Sequence, residues 1–141
     1  MKPQEFLSEL PDLVRDHLPT ELLDFHVAPR ESSMVKLYYT NPKIHYEVWI
    51  RRKYRYVEIA LHFEADRETN RSFLELLETR RDAISSGVLS NIRIEPWEKG
   101  WTRAYQTIPW EPLEDDFLIE VSFMLSRLIK LLQPIVERKH L

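Results

Sequence analysis

Apolar and polar residues alternate with a period of two along two neighbouring stretches of this chain. In the first, Ile44, Tyr46, Val48 and Ile50 alternate with His45, Glu47, Trp49 and Arg51. In the second, Val57, Ile59, Leu61 and Phe63 alternate with Tyr56, Glu58, Ala60 and His62. This period predicts two half-buried antiparallel strands with one apolar and one polar face. Their register follows from the link between them. A two-residue turn at Arg52-Lys53 needs positive φ at non-glycine residues and sets Glu47 against Glu58. A four-residue link instead pairs Val48 with Ile59, Ile50 with Val57, Glu47 with Ala60 and His45 with His62, and this is the register expected.

Elsewhere the period is helical. Phe6, Leu7, Leu10, Leu13, Val14 and Leu18 predict a helix over residues 3–18, broken or restarted at Pro11, which has no amide proton to donate. Leu23, Phe25 and Val27 suggest a short strand, and residues 34–40 a firmer one turned by Asn41-Pro42. Residues 67–86 read as one helix, with Asp66 as N-cap, a stripe of Phe73, Leu76, Leu77, Ala83 and Ile84, and Gly87 as a left-handed stop before Val88. A second hairpin turns at Glu98-Lys99-Gly100 and pairs Trp97 with Trp101, Glu95 with Arg103 and Arg93 with Tyr105.

The last helix, Glu114 to about Arg138, opens on acids and closes on bases, as its dipole favours. It carries two apolar seams. Phe117, Val121, Met124, Leu128, Leu131 and Ile135 form one, and Leu118, Leu125, Ile129, Leu132 and Val136 the other. Together they make a stripe wider than one sheet needs. Pro134 is expected to bend or fray the last turn. The whole reads as one α+β domain over residues 1–141: helix, three to four strands, helix, two strands, helix, with the helices packed on one face of an antiparallel sheet.

Composition narrows the function classes. A net charge of -3 disfavours a dedicated nucleic-acid binder, although a local basic patch is compatible with it. The absence of cysteine removes thiolate chemistry and disulfides and suits the cytosol. The apolar run 117–136 is interrupted by Glu120, Arg127 and Lys130, so no membrane span is expected.

Candidate chemistry is sparse. His45 and His62 fall opposite each other on the polar face, near Glu47, Glu58 and Glu64. Two imidazoles and a carboxylate can bind zinc, but no HExxH-like spacing is present. The two are therefore read as partly exposed strand histidines, with no metal assigned. No serine sits in a glycine elbow, and two glycines leave no phosphate-cradling loop. No catalytic residue or cofactor is assigned. The densest basic-aromatic cluster is Arg51, Arg52, Lys53 and Arg55, interleaved with Trp49, Tyr54 and Tyr56, a composition that holds phosphates and stacks bases. Trp97, Trp101 and the last-helix residues Phe117, Val121, Met124 and Leu128 are the candidate protein interface, with a homodimer as its simplest use.

The second half of the chain resembles a prokaryotic domain family that occurs alone or behind restriction- and defence-associated modules. The likeness lies in Tyr46-Glu47-Val48-Trp49-Ile50, in Phe73, Leu76, Arg80 and Ile84, in Ile94-Glu95-Pro96-Trp97-Glu98 and in Thr102-Arg103-Ala104. It covers roughly residues 34–137 through loose patterns. The family has no agreed activity, so the resemblance implies no site residues. The element order is also similar to that of small dimeric secretion chaperones, an analogy of fold alone. The expected function is a non-enzymatic binding or accessory module acting through a protein partner or a second copy of itself. The alternative is a nucleic-acid-associated accessory protein of a defence system, using the basic hairpin.

Overall fold

The alternating stretches form the two central strands of the sheet. In this computed structural model, which describes residues 1–29, 31–85 and 91–139, β3 (Ile44–Arg51) and β4 (Tyr56–Phe63) pair antiparallel. Val48 lies opposite Ile59, Ile50 opposite Val57, Glu47 opposite Ala60 and His45 opposite His62, the register expected from the four-residue link. The link is a 3-10 turn, Arg52–Tyr54, closed by Arg55 at φ 56°. Even the longer link thus places one non-glycine residue in the left-handed region.

Around this pair the sheet grows to six antiparallel strands in the order β1-β2-β3-β4-β6-β5. Strand β1 (His26–Val27) is shorter than its sequence pattern suggests, because Thr20–Leu22 form a 3-10 turn and Phe25 drops into the core. Strand β2 (Met34–Tyr38) borders β3, while β5 (Arg93–Pro96) and β6 (Thr102–Pro109) form the second hairpin. Its register sets Arg93 against Tyr105 and Glu95 against Arg103, as expected. Gly100 takes φ 77°, and a Cβ there would come within 2.7 Å of Arg67 Cγ, so both backbone and space call for glycine. Strand β6 returns to pair with β4, which sets Arg103 beside His62 and Tyr105 beside Ala60.

The helices pack on the apolar face of the sheet. Helix α4 (Asp115–Lys139) reaches it through Gln133, whose Oε1 accepts from the buried Tyr46 hydroxyl at 3.0 Å. Helix α2 (Arg67–Thr79) reaches it through Phe73, stacked on Phe63 at 4.6 Å. Helix α1 (Pro3–Asp16) packs on α4, with Phe6 and Phe117 ring centroids 5.7 Å apart. One apolar core joins all of these. Each large side chain fully buried in it contributes about 1.5–3 kcal/mol.

Several expectations need correction. Pro11 does not break α1; it lies buried inside a continuous helix whose Phe6, Leu7, Leu10 and Val14 are all packed in the core. That packing offsets the one backbone bond a proline cannot make. Residues 67–86 are not one helix. The chain bends at Arg80 (φ -108°), where the Thr79 hydroxyl donates to the Leu76 carbonyl, and restarts as α3 (Arg81–Ser85). The bend turns Ala83 outward and keeps Ile84 in the core. Asp66 caps α2 as expected, accepting from the Thr69 amide at 3.1 Å. The Gly87 stop and Val88 lie outside the described residues. Pro134 does not fray the last turn of α4, which stays helical to Lys139.

Both seams of α4 face inward. Phe117, Val121 and Leu128 are buried and Met124 is half-buried, because α1 covers the seam that the sheet leaves bare. As a candidate interface these four residues are therefore corrected: three belong to the core of a single chain. No helix among the described residues is long and apolar enough to cross a membrane.

Candidate functional site

The polar face of the sheet is not the open surface that its alternation suggests. His45 and His62 are each 2% exposed, Glu47 3%, Glu58 0% and Arg103 6%. The expectation of partly exposed histidines is thus overturned. The reason is side-chain length. With the helices on the other face, these residues are covered by one another and by aromatic rings. The Arg103 guanidinium lies 3.7 Å from the Trp97 ring centroid and 3.9 Å from that of Tyr105, like a tile over the carboxylates below.

The parity of the strands builds the cluster. His45 and Glu47 are two apart on β3, so both point to one face, and Glu58 and His62 do the same on β4. The imidazoles stack cross-strand at 5.7 Å with planes 1° apart. Glu47 lies between them, with Oε1 2.9 Å from His45 Nε2 and Oε2 3.6 Å from His62 Nε2. His62 Nε2 also sits 3.3 Å from Glu58 Oε2, and Glu64, just beyond β4, places Oε2 3.3 Å from His62 Nδ1 and 4.0 Å from His45 Nε2. On the β6 side, Arg103 donates to Glu58 at 2.8 Å and to Glu95 at 2.9 Å, and the Tyr105 hydroxyl donates to Glu95 at 3.1 Å.

Electrostatically the cluster is rich in carboxylate. Four carboxylates, Glu47, Glu58, Glu64 and Glu95, gather here, and among the described residues Arg103 is the one permanent cation paired with any of them, through Glu58 and Glu95. Burial lowers the pKa of His62, but Glu58, Glu64 and Glu47 outweigh it and raise the value to about 9. Burial pushes Glu64 upward, and His62, His45 and Lys36 pull it below the ordinary carboxylate value. The surrounding carboxylates therefore favour the protonated form of the His62 imidazole.

The other sequence-derived candidates lie elsewhere. Trp97 and Trp101 are half-buried at the end of the second hairpin; Trp97 carries Arg103, and the Lys99 ammonium stands 5.1 Å from Trp101. At the β3–β4 tip, Arg52, Lys53, Tyr54 and Arg55 are exposed, while Arg51 is folded back over Trp49 at 3.9 Å and bonded to the Tyr56 hydroxyl. Sequence reasoning placed His45 opposite His62 but missed Arg103, Glu95 and Tyr105 as their neighbours. The missing signal is the β4–β6 pairing, which no local pattern encodes.

Fold and site together define an α+β protein with a sealed histidine–carboxylate–arginine cluster on the helix-free face of its sheet. No protein family, curated protein or solved structure matches the chain.

Proposed function

We propose that the protein is a non-enzymatic binding module that acts through a protein partner, and that the first such partner is a second copy of itself. The observation that carries this reading is the outer stripe of α4. Ile119 is 52% exposed and Phe123 43%, two large apolar side chains one turn apart. Ile119 borders a groove of about 460 Å³ between α1 and α4, floored by Leu13 and Leu118 and rimmed by Glu9, Asp12 and Asp115.

The charges on this stripe are arranged for self-pairing. Asp116 and Glu120 precede Phe123, and Arg127 and Lys130 follow it. Two α4 helices crossing antiparallel at Phe123 would set Asp116 of one copy against Lys130 of the other, and Arg127 against Ile119 and Glu120. An isologous contact makes each such pairing twice. The sealing of the cluster supports a binding role over an enzymatic one, since a substrate has no route to groups buried this deeply. Sedimentation equilibrium at micromolar concentration should give a particle of twice the 17.0 kDa chain mass, reduced to one chain by Phe123→Glu. A clean 17.0 kDa particle for the unmodified protein would reject self-association.

A second reading is favoured by one observation at the opposite corner. Arg52, Lys53 and Arg55 are exposed beside the exposed ring of Tyr54, and no ion pair to any of them is found among the described residues. Such a tip suits a phosphate backbone with a stacked base. Binding to single-stranded DNA that weakens as salt rises, and is lost when Arg52, Lys53 and Arg55 are all replaced by Ala, would support it. Affinity unchanged by the triple replacement would remove the hairpin as the contact.

A further inference from the structure

The surroundings of Glu47 have the form of a cation site. The Pro42 carbonyl can only accept, so His45 Nδ1, 3.1 Å away, carries the hydrogen that faces it. Nε2 of the same ring then presents its lone pair to Glu47 Oε1 at 2.9 Å. A lone pair facing an ionised carboxylate is repulsive unless a cation, proton or metal, lies between them. An imidazole anchored through its other nitrogen to a backbone carbonyl is also how metal-binding histidines are commonly oriented.

A second, independent observation comes from His62. Its Nδ1 is buried and has no hydrogen-bond partner; Glu64 Oε2 lies 3.3 Å away but out of line with an N–H. The same Glu64 oxygen is 4.0 Å from His45 Nε2. Donor atoms around a tetrahedral ion with bonds of about 2.0 Å sit about 3.3 Å from one another. The separations of 2.9, 3.3 and 4.0 Å bracket that spacing.

Two donor sets converge within 4.8 Å, His45 with Glu47 and Glu64, and His62 with Glu47 and Glu58. Glu58 already gives one oxygen to Arg103 at 2.8 Å. Glu64 has no arginine partner and, with its side chain 19% exposed, is the member of the two donor sets nearest solvent. The first set is therefore the better receptor. All its donors stand on or directly after paired central strands, which hold them in place. The excess of buried carboxylate is what a divalent ion would offset.

We propose that His45, Glu47 and Glu64 bind one divalent first-row transition metal, with zinc as the type, and that His62 is the adjoining nitrogen donor. Nitrogen donors select such an ion over magnesium or calcium, which take mostly oxygen.

The test is calorimetric titration of the whole protein, stripped with chelator, with ZnCl2 and separately with MgCl2, and visible absorption on adding CoCl2. One equivalent of zinc should bind at micromolar Kd or tighter, cobalt should give ligand-field bands, and magnesium should give no saturable heat. His45→Gln should abolish binding. Glu64→Gln, an isosteric change at the most exposed ligand, should weaken it at least tenfold; it serves as the second variant should His45→Gln fail to fold, with circular dichroism reporting the fold of each. His26→Gln, at an exposed histidine, should leave binding unchanged. No saturable zinc or cobalt binding would overturn the proposal and leave a cluster held by protons alone. Binding that survives Glu64→Gln undiminished, or that is lost with His26→Gln, would overturn it equally.

Discussion

At its centre the sheet is buried on both faces, and the two are held in opposite ways. On the helix side, Val48, Ile59, Leu61 and Phe63 are covered by α1, α2 and α4, and nondirectional apolar contact does the work. On the other side, His45, Glu47, Glu58, His62 and Arg103 are covered by their own neighbours, and every contact depends on partner, distance and charge. Apolar burial tolerates the loss of a neighbour in proportion to the volume lost. A buried charge network does not, because each missing partner strands another charge. The same alternation of residues therefore gives one face that supplies stability and one whose value lies in its arrangement.

The largest effect should come from the apolar face. Phe63→Ala removes a fully buried ring stacked on Phe73 and is expected to cost about 3–5 kcal/mol in urea denaturation. Next is the polar face. Arg103→Met leaves Glu58 buried without its cation and should cost roughly 3 kcal/mol. The two faces separate in the double variant. Glu58→Leu with Arg103→Met should recover most of that loss, whereas no second truncation rescues Phe63→Ala. A double variant as unstable as the sum of the singles would mean that the charges are net stabilisers and that the contrast fails.

An effect of similar size is pH-dependent. In chelator-stripped protein the pKa of His62 is raised from 6.5 to about 9 on folding. The protonated form is favoured in the folded state, so this contribution is complete below about pH 6.5 and lost as pH rises through about 9. Urea midpoints should therefore fall between those values, and the fall should be absent in His62→Gln. The smallest effect is Tyr46→Phe, which deletes the buried hydroxyl bonded to Gln133 at 3.0 Å, costing about 1 kcal/mol while leaving zinc binding intact.

Local chemistry made much of the fold legible. The β3–β4 register followed from avoiding two positive-φ residues and a Glu47–Glu58 clash, and the Asp66 cap and the Gly100 turn from residue type alone. The bend at Arg80 was hidden because Phe73, Leu77 and Ile84 keep helical spacing across it. The buried site was hidden for a different reason. His45, Glu47, Glu58 and His62 occupy the polar positions of alternating strands, and that pattern reads as a solvated face. What seals it is Arg103, 45 residues from Glu58 in sequence and brought alongside by β6. Likewise, the width of the apolar stripe on α4 pointed to a partner, and α1 of the same chain turned out to cover most of it.

The centre of the polar face is closed to water, and the imidazole N–H protons report it directly. In proton–nitrogen NMR spectra at neutral pH, the His45 ring Nδ1–H, held by the Pro42 carbonyl, should give a slowly exchanging resonance, while exposed His26 gives none. If the His45 ring proton exchanges as fast as that of His26, the face is open and the account of the cluster is wrong.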